Sequence, residues 1–152
     1  MEEKIRTLAF LCCFATITLV SCTAGRNSTA TDARITALGS LLIEFETDVR
    51  AVCQSRSWTA ERANWIRAVQ NAKTIRSMGA CLLACENSIL DICLMQHWES
   101  ERPSWQSKVK NASRIEELRD CLLYMEESIK FDSAIMTWFR KRESWKRRVS
   151  AL

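Results

Sequence analysis

The sequence predicts an all-α protein of three tandem helical hairpins, each about 40 residues long, forming a short α-solenoid or compact bundle. Three observations predict it. All six tryptophans fall in pairs seven residues apart, Trp58/Trp65, Trp98/Trp105 and Trp138/Trp145, and each pair follows the last by 40 residues. Upstream of each pair, apolar residues recur in steps of three and four. Finally, three glycines and one proline in 152 residues leave too little turn chemistry for a sheet protein.

Residues 1–24 come first. An apolar run from Leu8 to Val20, then "SCTAG", has the order of a secretory signal peptide and is too short to span a bilayer. "LVSC", ending at Cys22, also resembles a bacterial lipobox, whereas Glu2 and Glu3 dilute the positive start such segments carry. Both a cleaved and an uncleaved segment stay open. The Ser/Thr-rich residues 25–32 read as a linker.

The repeat domain occupies residues 33–152, with copies near 33–72, 73–112 and 113–152. Ile35, Leu38, Leu42, Phe45 and Val49 line one face of a helix. Their equivalents are Ile75, Met78, Leu82, Cys85 and Ile89, then Ile115, Leu118, Leu122, Met125 and Ile129. Each copy is expected to hold a first helix of roughly 20 residues, a turn, and a second of about 12. Pro103 suits a first helical turn, so the second helix is expected to start near Glu101 to Pro103 and the first to end near Trp98. "SRIE", Ser113 to Glu116, has the form of a capping box for the third copy. Stacking is required, because one hairpin cannot bury its own apolar face.

The repeat assigns its polar positions too. Glu46, Glu86 and Glu126 recur on the first helix, and Arg62, Arg102 and Arg142 on the second, so an ion pair is expected to brace each hairpin. The tryptophans are expected to fill the corner between the helices. Base stacking, which also places aromatics beside cations, is the alternative.

Charge is uneven. The last 16 residues carry +5, through Arg140, Lys141, Arg142, Lys146, Arg147 and Arg148 against Glu143, and the other 136 carry about −1. The corresponding stretches of copies one and two, "AERANWIRA" and "SERPSWQSK", are far less basic, so the fold does not require this cluster. It is the candidate contact surface for nucleic acid or a protein partner.

No catalytic, metal or cofactor site is read from the chain, and no small-molecule substrate is implied. There is no Gly-rich phosphate loop, no HExxH and no nucleophile with a spaced base. His97 has no second ligand nearby and reads as a turn residue. Cys53, Cys81, Cys85, Cys93 and Cys121 align with small or apolar residues in other copies, and so read as buried free thiols. Free core thiols fit a reducing compartment. Asn27-Ser28-Thr29 and Asn111-Ala112-Ser113 match glycosylation sequons, which matter only if the chain is secreted.

The combined pattern runs through Leu41-Leu42-Ile43-Glu44, Glu46, Val49, Trp58, Arg62, Trp65 and Val69, with its 40-residue equivalents. It resembles helical segments of plant DDT-domain and PHD-finger chromatin proteins and methyl-CpG-binding-domain relatives, akin to the WHIM regions of remodeller accessory subunits. The resemblance implies a nuclear scaffold that docks a remodelling ATPase or chromatin, and with no catalytic motif in the chain the expectation is a non-enzymatic one. The alternative expectation, carried by the N-terminal segment, is a secreted or lipid-anchored helical protein.

Overall fold

The computed structural model describes residues 29–130 and 136–152. The readings of residues 1–24 as a targeting segment and of 25–28 as linker lie outside the described residues. Two compact units divide the chain, Met1–Ala33 and Arg34–Leu152. Of the first, residues 29–33 are helical and exposed, so the linker expected to reach residue 32 is helix from residue 29 on. Ser/Thr content without glycine or proline does not break a helix.

The second unit is all-α. Among the described residues there is no strand, only two isolated β-bridges. Its helices are α1 (29–53, which begins in the first unit), α2 (Trp58–Asn71), α3 (Ile75–Ser88), α4 (Trp98–Asn111), α5 (Ile115–Glu127) and α6 (Met136–Ser150), with a 3₁₀ turn at Asp91–Cys93. The apolar face expected of the first helices is buried throughout, except that Ile75 is half-buried.

Two boundaries differ from expectation. A long first helix exists only in copy one. In copies two and three it ends at Ser88 and Glu127, and the second helix begins at Trp98, not near Glu101 to Pro103. The apolar spacing runs on through Ile89, but backbone pairing between copies takes over there. Leu90 N–H donates to the Cys53 carbonyl at 2.6 Å and Ser55 N–H to the Ser88 carbonyl at 3.1 Å. Lys130 N–H to Cys93 and Met95 N–H to Ser128, at 2.8 and 2.9 Å, repeat the pattern one copy on. Both tryptophans of a pair thus lie on the second helix. Two turns apart on one face, Trp98 and Trp105 hold their ring centroids 5.3 Å apart, as Trp58 and Trp65 do without a proline. Pro103 is carried inside α4 for that spacing, at the loss of one backbone hydrogen bond.

The third correction is a cap. Glu117, not Glu116, accepts from the backbone N–H groups of Ser113 and Arg114, at 2.7 and 3.2 Å. Glu116 instead pairs with Arg34 on α1 at 2.6 Å.

First helices α1, α3 and α5 form the centre, and α2, α4 and α6 sit in the seams between them. Close approach is set at Gly39, where a Cβ would lie 2.9 Å from Met78 Cε and Val69 Cγ1, and at Gly79, 3.3 Å from the Val109 carbonyl oxygen. The third copy has Arg119 there, so its seam is built differently. That seam lies between α6 and α1: the last helix packs against the first, and the three hairpins close on themselves. The Phe45 ring on α1 meets Trp138 and Trp145 of α6 at centroid distances of 5.3 and 5.6 Å.

Candidate functional site

Each hairpin is braced by a three-part polar core. Glu46, Glu86 and Glu126 are fully buried, and each lies one residue beyond a core position on its helix. A buried carboxylate persists only where donors surround it. The expected ion pairs supply them: Arg62–Glu46 at 2.7 Å, Arg102–Glu86 at 2.8 Å and Arg142–Glu126 at 2.5 Å. Sequence reasoning missed the second donor. The indole N–H groups of Trp58, Trp98 and Trp138 donate to the same three glutamates at 2.9, 3.1 and 3.1 Å. The signal was present, since a buried tryptophan needs an acceptor and the Glu-to-Trp spacing is 12 in every copy.

The triads are not identical. Arg62 donates through Nε and Nη2 to both oxygens of Glu46 at 2.7–2.9 Å. Arg102 Nε lies close to Glu86 but poorly aligned for a hydrogen bond, and its Nη2 reaches Oε2 at 3.3 Å, with Gln106 adding a donor at 3.3 Å. Hydrogen bonding to the carboxylate holds Arg62 and Arg142 above the ordinary guanidinium range.

The second tryptophan of each pair has a different task. Trp65 donates to the Cys81 carbonyl, Trp105 to Cys121 and Trp145 to Leu41, each at 2.9 Å. Residues 41, 81 and 121 are repeat equivalents, so the three contacts are one contact made three times. One tryptophan braces its own hairpin; the other ties it to the next.

The basic cluster of α6 is largely committed to this architecture. Arg142 belongs to the third triad. Lys141 pairs with Asp48 at 3.1 Å and Arg148 with Glu44 at 2.6 Å, both across the closing seam, and Lys146 pairs with Glu127 at 2.6 Å. Arg140 and Arg147 are exposed and in no ion pair among the described residues. Phe139 beside them is 57% exposed. The structure therefore separates the six candidate contacts into four that are paired with carboxylates of α1 and α5 and two that are exposed and in no ion pair among the described residues.

The five described cysteines are free and buried. Burial raises the thiol of Cys81, raises those of Cys53 and Cys85 well above their ordinary range, with the Cys93 thiol adding to the effect at Cys53, and pushes Cys121 up to about 11. A raised value leaves the thiol protonated and weakly nucleophilic. We expect alkylation of these four by iodoacetamide at pH 8, followed peptide by peptide, to be negligible in native protein and complete in denaturant. Fast native labelling at any of them would contradict this packing. His97 is an exposed residue at the start of α4, as a turn residue should be. Among the described residues no group of three or more His, Cys, Asp or Glu is placed to hold a metal, and no helix is long and apolar enough to cross a membrane.

Residues 72–139 match the family model of a domain of unknown function, DUF8799. The matched stretch contains α3, α4 and α5 and ends just after Trp138. No curated protein and no solved structure shows significant similarity to the chain.

Proposed function

We propose that the protein is a non-enzymatic helical-repeat module that binds a protein partner, and that its contact surface is the outward side of α6. One observation carries this reading. The residues shared by all three copies are consumed within the fold, whereas Phe139 and Arg140 are exposed and particular to the third copy; Arg147, exposed on the same helix, has an arginine equivalent in copy one, Arg67, and a serine in copy two, Ser107. Arg140 and Arg147 are two turns apart, about 10 Å along the helix. Aromatic and arginine side chains are the types that most often anchor protein interfaces. The equivalents of Phe139 and Arg140 are Thr59 and Ala60 in copy one, Glu99 and Ser100 in copy two. A nuclear, chromatin-associated setting is part of the proposal. It is supported by the resemblance of the Trp-Arg-Trp pattern and by the free thiols.

Nucleic acid is the measurable competitor. With two outward cations, log K for duplex DNA should fall with log salt at a slope no steeper than about −2; six free cations would give about −5. Fluorescence anisotropy with a labelled duplex between 50 and 200 mM salt (about the range over which such slopes are read) checks it. A slope near −5 would replace the protein-partner reading with a nucleic-acid one. For the partner itself, a protein captured from nuclear extract by the wild type should be lost with Phe139→Ala/Arg140→Ala/Arg147→Ala. Retention by that triple variant would move the contact surface elsewhere.

A further inference from the structure

The turn between α3 and α4 is fastened to the end of α1. The Cys53 carbonyl accepts the Leu90 N–H at 2.6 Å, and the Leu90 carbonyl in turn accepts the Cys93 N–H at 2.8 Å. The Cys93 sulfur lies 3.5 Å from the Val52 carbonyl oxygen, which belongs to the peptide unit leading into Cys53. Both ends of the turn therefore meet the same two residues of copy one. This brings two thiols together, and the Cys53 side chain makes a hydrogen bond with that of Cys93.

The two thiols differ in access. Cys53 is fully buried, whereas Cys93 is 7% exposed and follows Ile92, which stands 78% exposed on the 3₁₀ turn. A small solute therefore meets the Cys93 sulfur first. The junction one copy on repeats the backbone pairing, with Lys130 N–H donating to the Cys93 carbonyl. It does not repeat the chemistry, because the equivalent of Cys93 in copy three is Ser133. Cys81, Cys85 and Cys121 lie apart from this junction, in the buried faces of α3 and α5.

We propose that Cys53 and Cys93 form a peroxide-responsive thiol pair, oxidised to a disulfide that fastens copy two to copy one. The Cys93 sulfur attacks one oxygen of hydrogen peroxide. The S–O bond forms as the O–O bond breaks, and the departing hydroxide takes the thiol proton and leaves as water. The Cys53 sulfur then attacks the sulfenic sulfur of Cys93. The S–S bond forms as the S–O bond breaks, and the second hydroxide leaves as water with the Cys53 proton. Two thiols are oxidised and one peroxide is reduced to two waters. The backbone bonds on both sides of the pair hold Cys53 beside Cys93, so this second step outruns further oxidation of the sulfenic acid. The bridge closes a loop of about 40 residues and so restricts the unfolded chain. This device is independent of the outward side of α6.

The test uses the full chain, fully reduced, freed of reductant and treated with hydrogen peroxide under native conditions near neutral pH. Remaining thiols are then alkylated in denaturant, and the chain is cut with trypsin and with an endoprotease that cleaves before aspartate. Mass spectrometry should find the Ala51–Arg56 fragment joined through Cys53 to the fragment that begins at Asp91 and carries Cys93. Cys81, Cys85 and Cys121 should be recovered alkylated, and dithiothreitol should release the two fragments. The oxidised chain should melt about 5–15 °C above the reduced one. Cys93→Ser, which places in copy two the residue that copy three has at 133, should abolish both the joined fragment and the rise in Tm. Cys53→Ala should do the same from the other partner, and the mapping of the wild-type chain stands without either variant. Both cysteines recovered as free thiols, Cys93 recovered as the sulfinic or sulfonic acid with Cys53 still free, Cys93 joined to a different cysteine, or a bridged chain no more stable than the reduced one would each overturn the proposal.

Discussion

Glu46→Ala is expected to destabilise the domain by about 3–5 kcal/mol, a fall of roughly 10–20 °C in Tm. The cost does not come from losing a favourable surface attraction, which would be worth a kilocalorie or less. It comes from what is left behind. Glu46 is fully buried and accepts the Trp58 indole N–H at 2.9 Å and three Arg62 contacts at 2.7–2.9 Å. Removing the carboxylate strands a guanidinium, 19% exposed, and an indole N–H with no acceptor. Arg62→Ala should cost a similar amount for the converse reason, an unpaired buried carboxylate. The double variant Glu46→Ala/Arg62→Ala should therefore cost clearly less than the two added, and a thermal or urea double-mutant cycle reads that coupling. Additive losses would mean the pair is not the unit the structure shows. The better-aligned Arg62 also ranks the copies: Glu46→Ala should exceed Glu86→Ala, where the arginine makes the poorer contact.

The pairing of glutamate with arginine was legible because both recur at one interval and have opposite charge. The apolar face was legible for the same reason. What periodicity could not show was where a helix gives way to pairing between copies. Ile89 and Ile129 keep the helical step and are buried as expected, yet they sit in bridges to Gln54 and Leu94. Those backbone hydrogen bonds join residues about 35 positions apart, and nothing in the local spacing encodes them. Pro103 misled for a related reason. A local rule about proline was outweighed by the need to set two indoles on one face. The basic cluster was legible as charge but not as commitment, because the partners Glu44 and Asp48 lie about a hundred residues upstream. Even so, the closure of the ring had a sequence signal. An open array needs terminal copies with a polar outer face, whereas among the described residues α6 keeps Trp145 and Val149 and α1 keeps Leu41 and Phe45.

That closure makes a prediction of its own. Trp145→Ala is expected to cost about 3–5 kcal/mol and to lower the stability of the whole ring. Trp145 is fully buried, packs on Phe45 and Trp138, and donates to the Leu41 carbonyl, so it joins the last helix to the first. In an open array the same residue would lie on a terminal surface, and its loss would only fray α6. In a closed ring no seam is an end, and each of these tryptophans is buried and donates to the equivalent carbonyl, so Trp65→Ala and Trp105→Ala should cost about the same as Trp145→Ala. Native-state hydrogen exchange distinguishes the cases. With Trp145→Ala, amides of α3 on the far side should lose protection together with those of α6, because opening one seam removes the neighbour that each central helix needs. Protection lost in α6 alone would show that the third hairpin is an end and not a link. The milder Trp145→Phe keeps the ring and removes the N–H, leaving the Leu41 carbonyl its helical partner, and should cost about 1 kcal/mol. Neutralising Lys141 and Arg148 together should cost about 1 kcal/mol, well below the loss of the indole, since both cations are half-exposed while the tryptophan is buried. The ranking follows from burial: the indole closes the ring, and the charges around it decorate the seam.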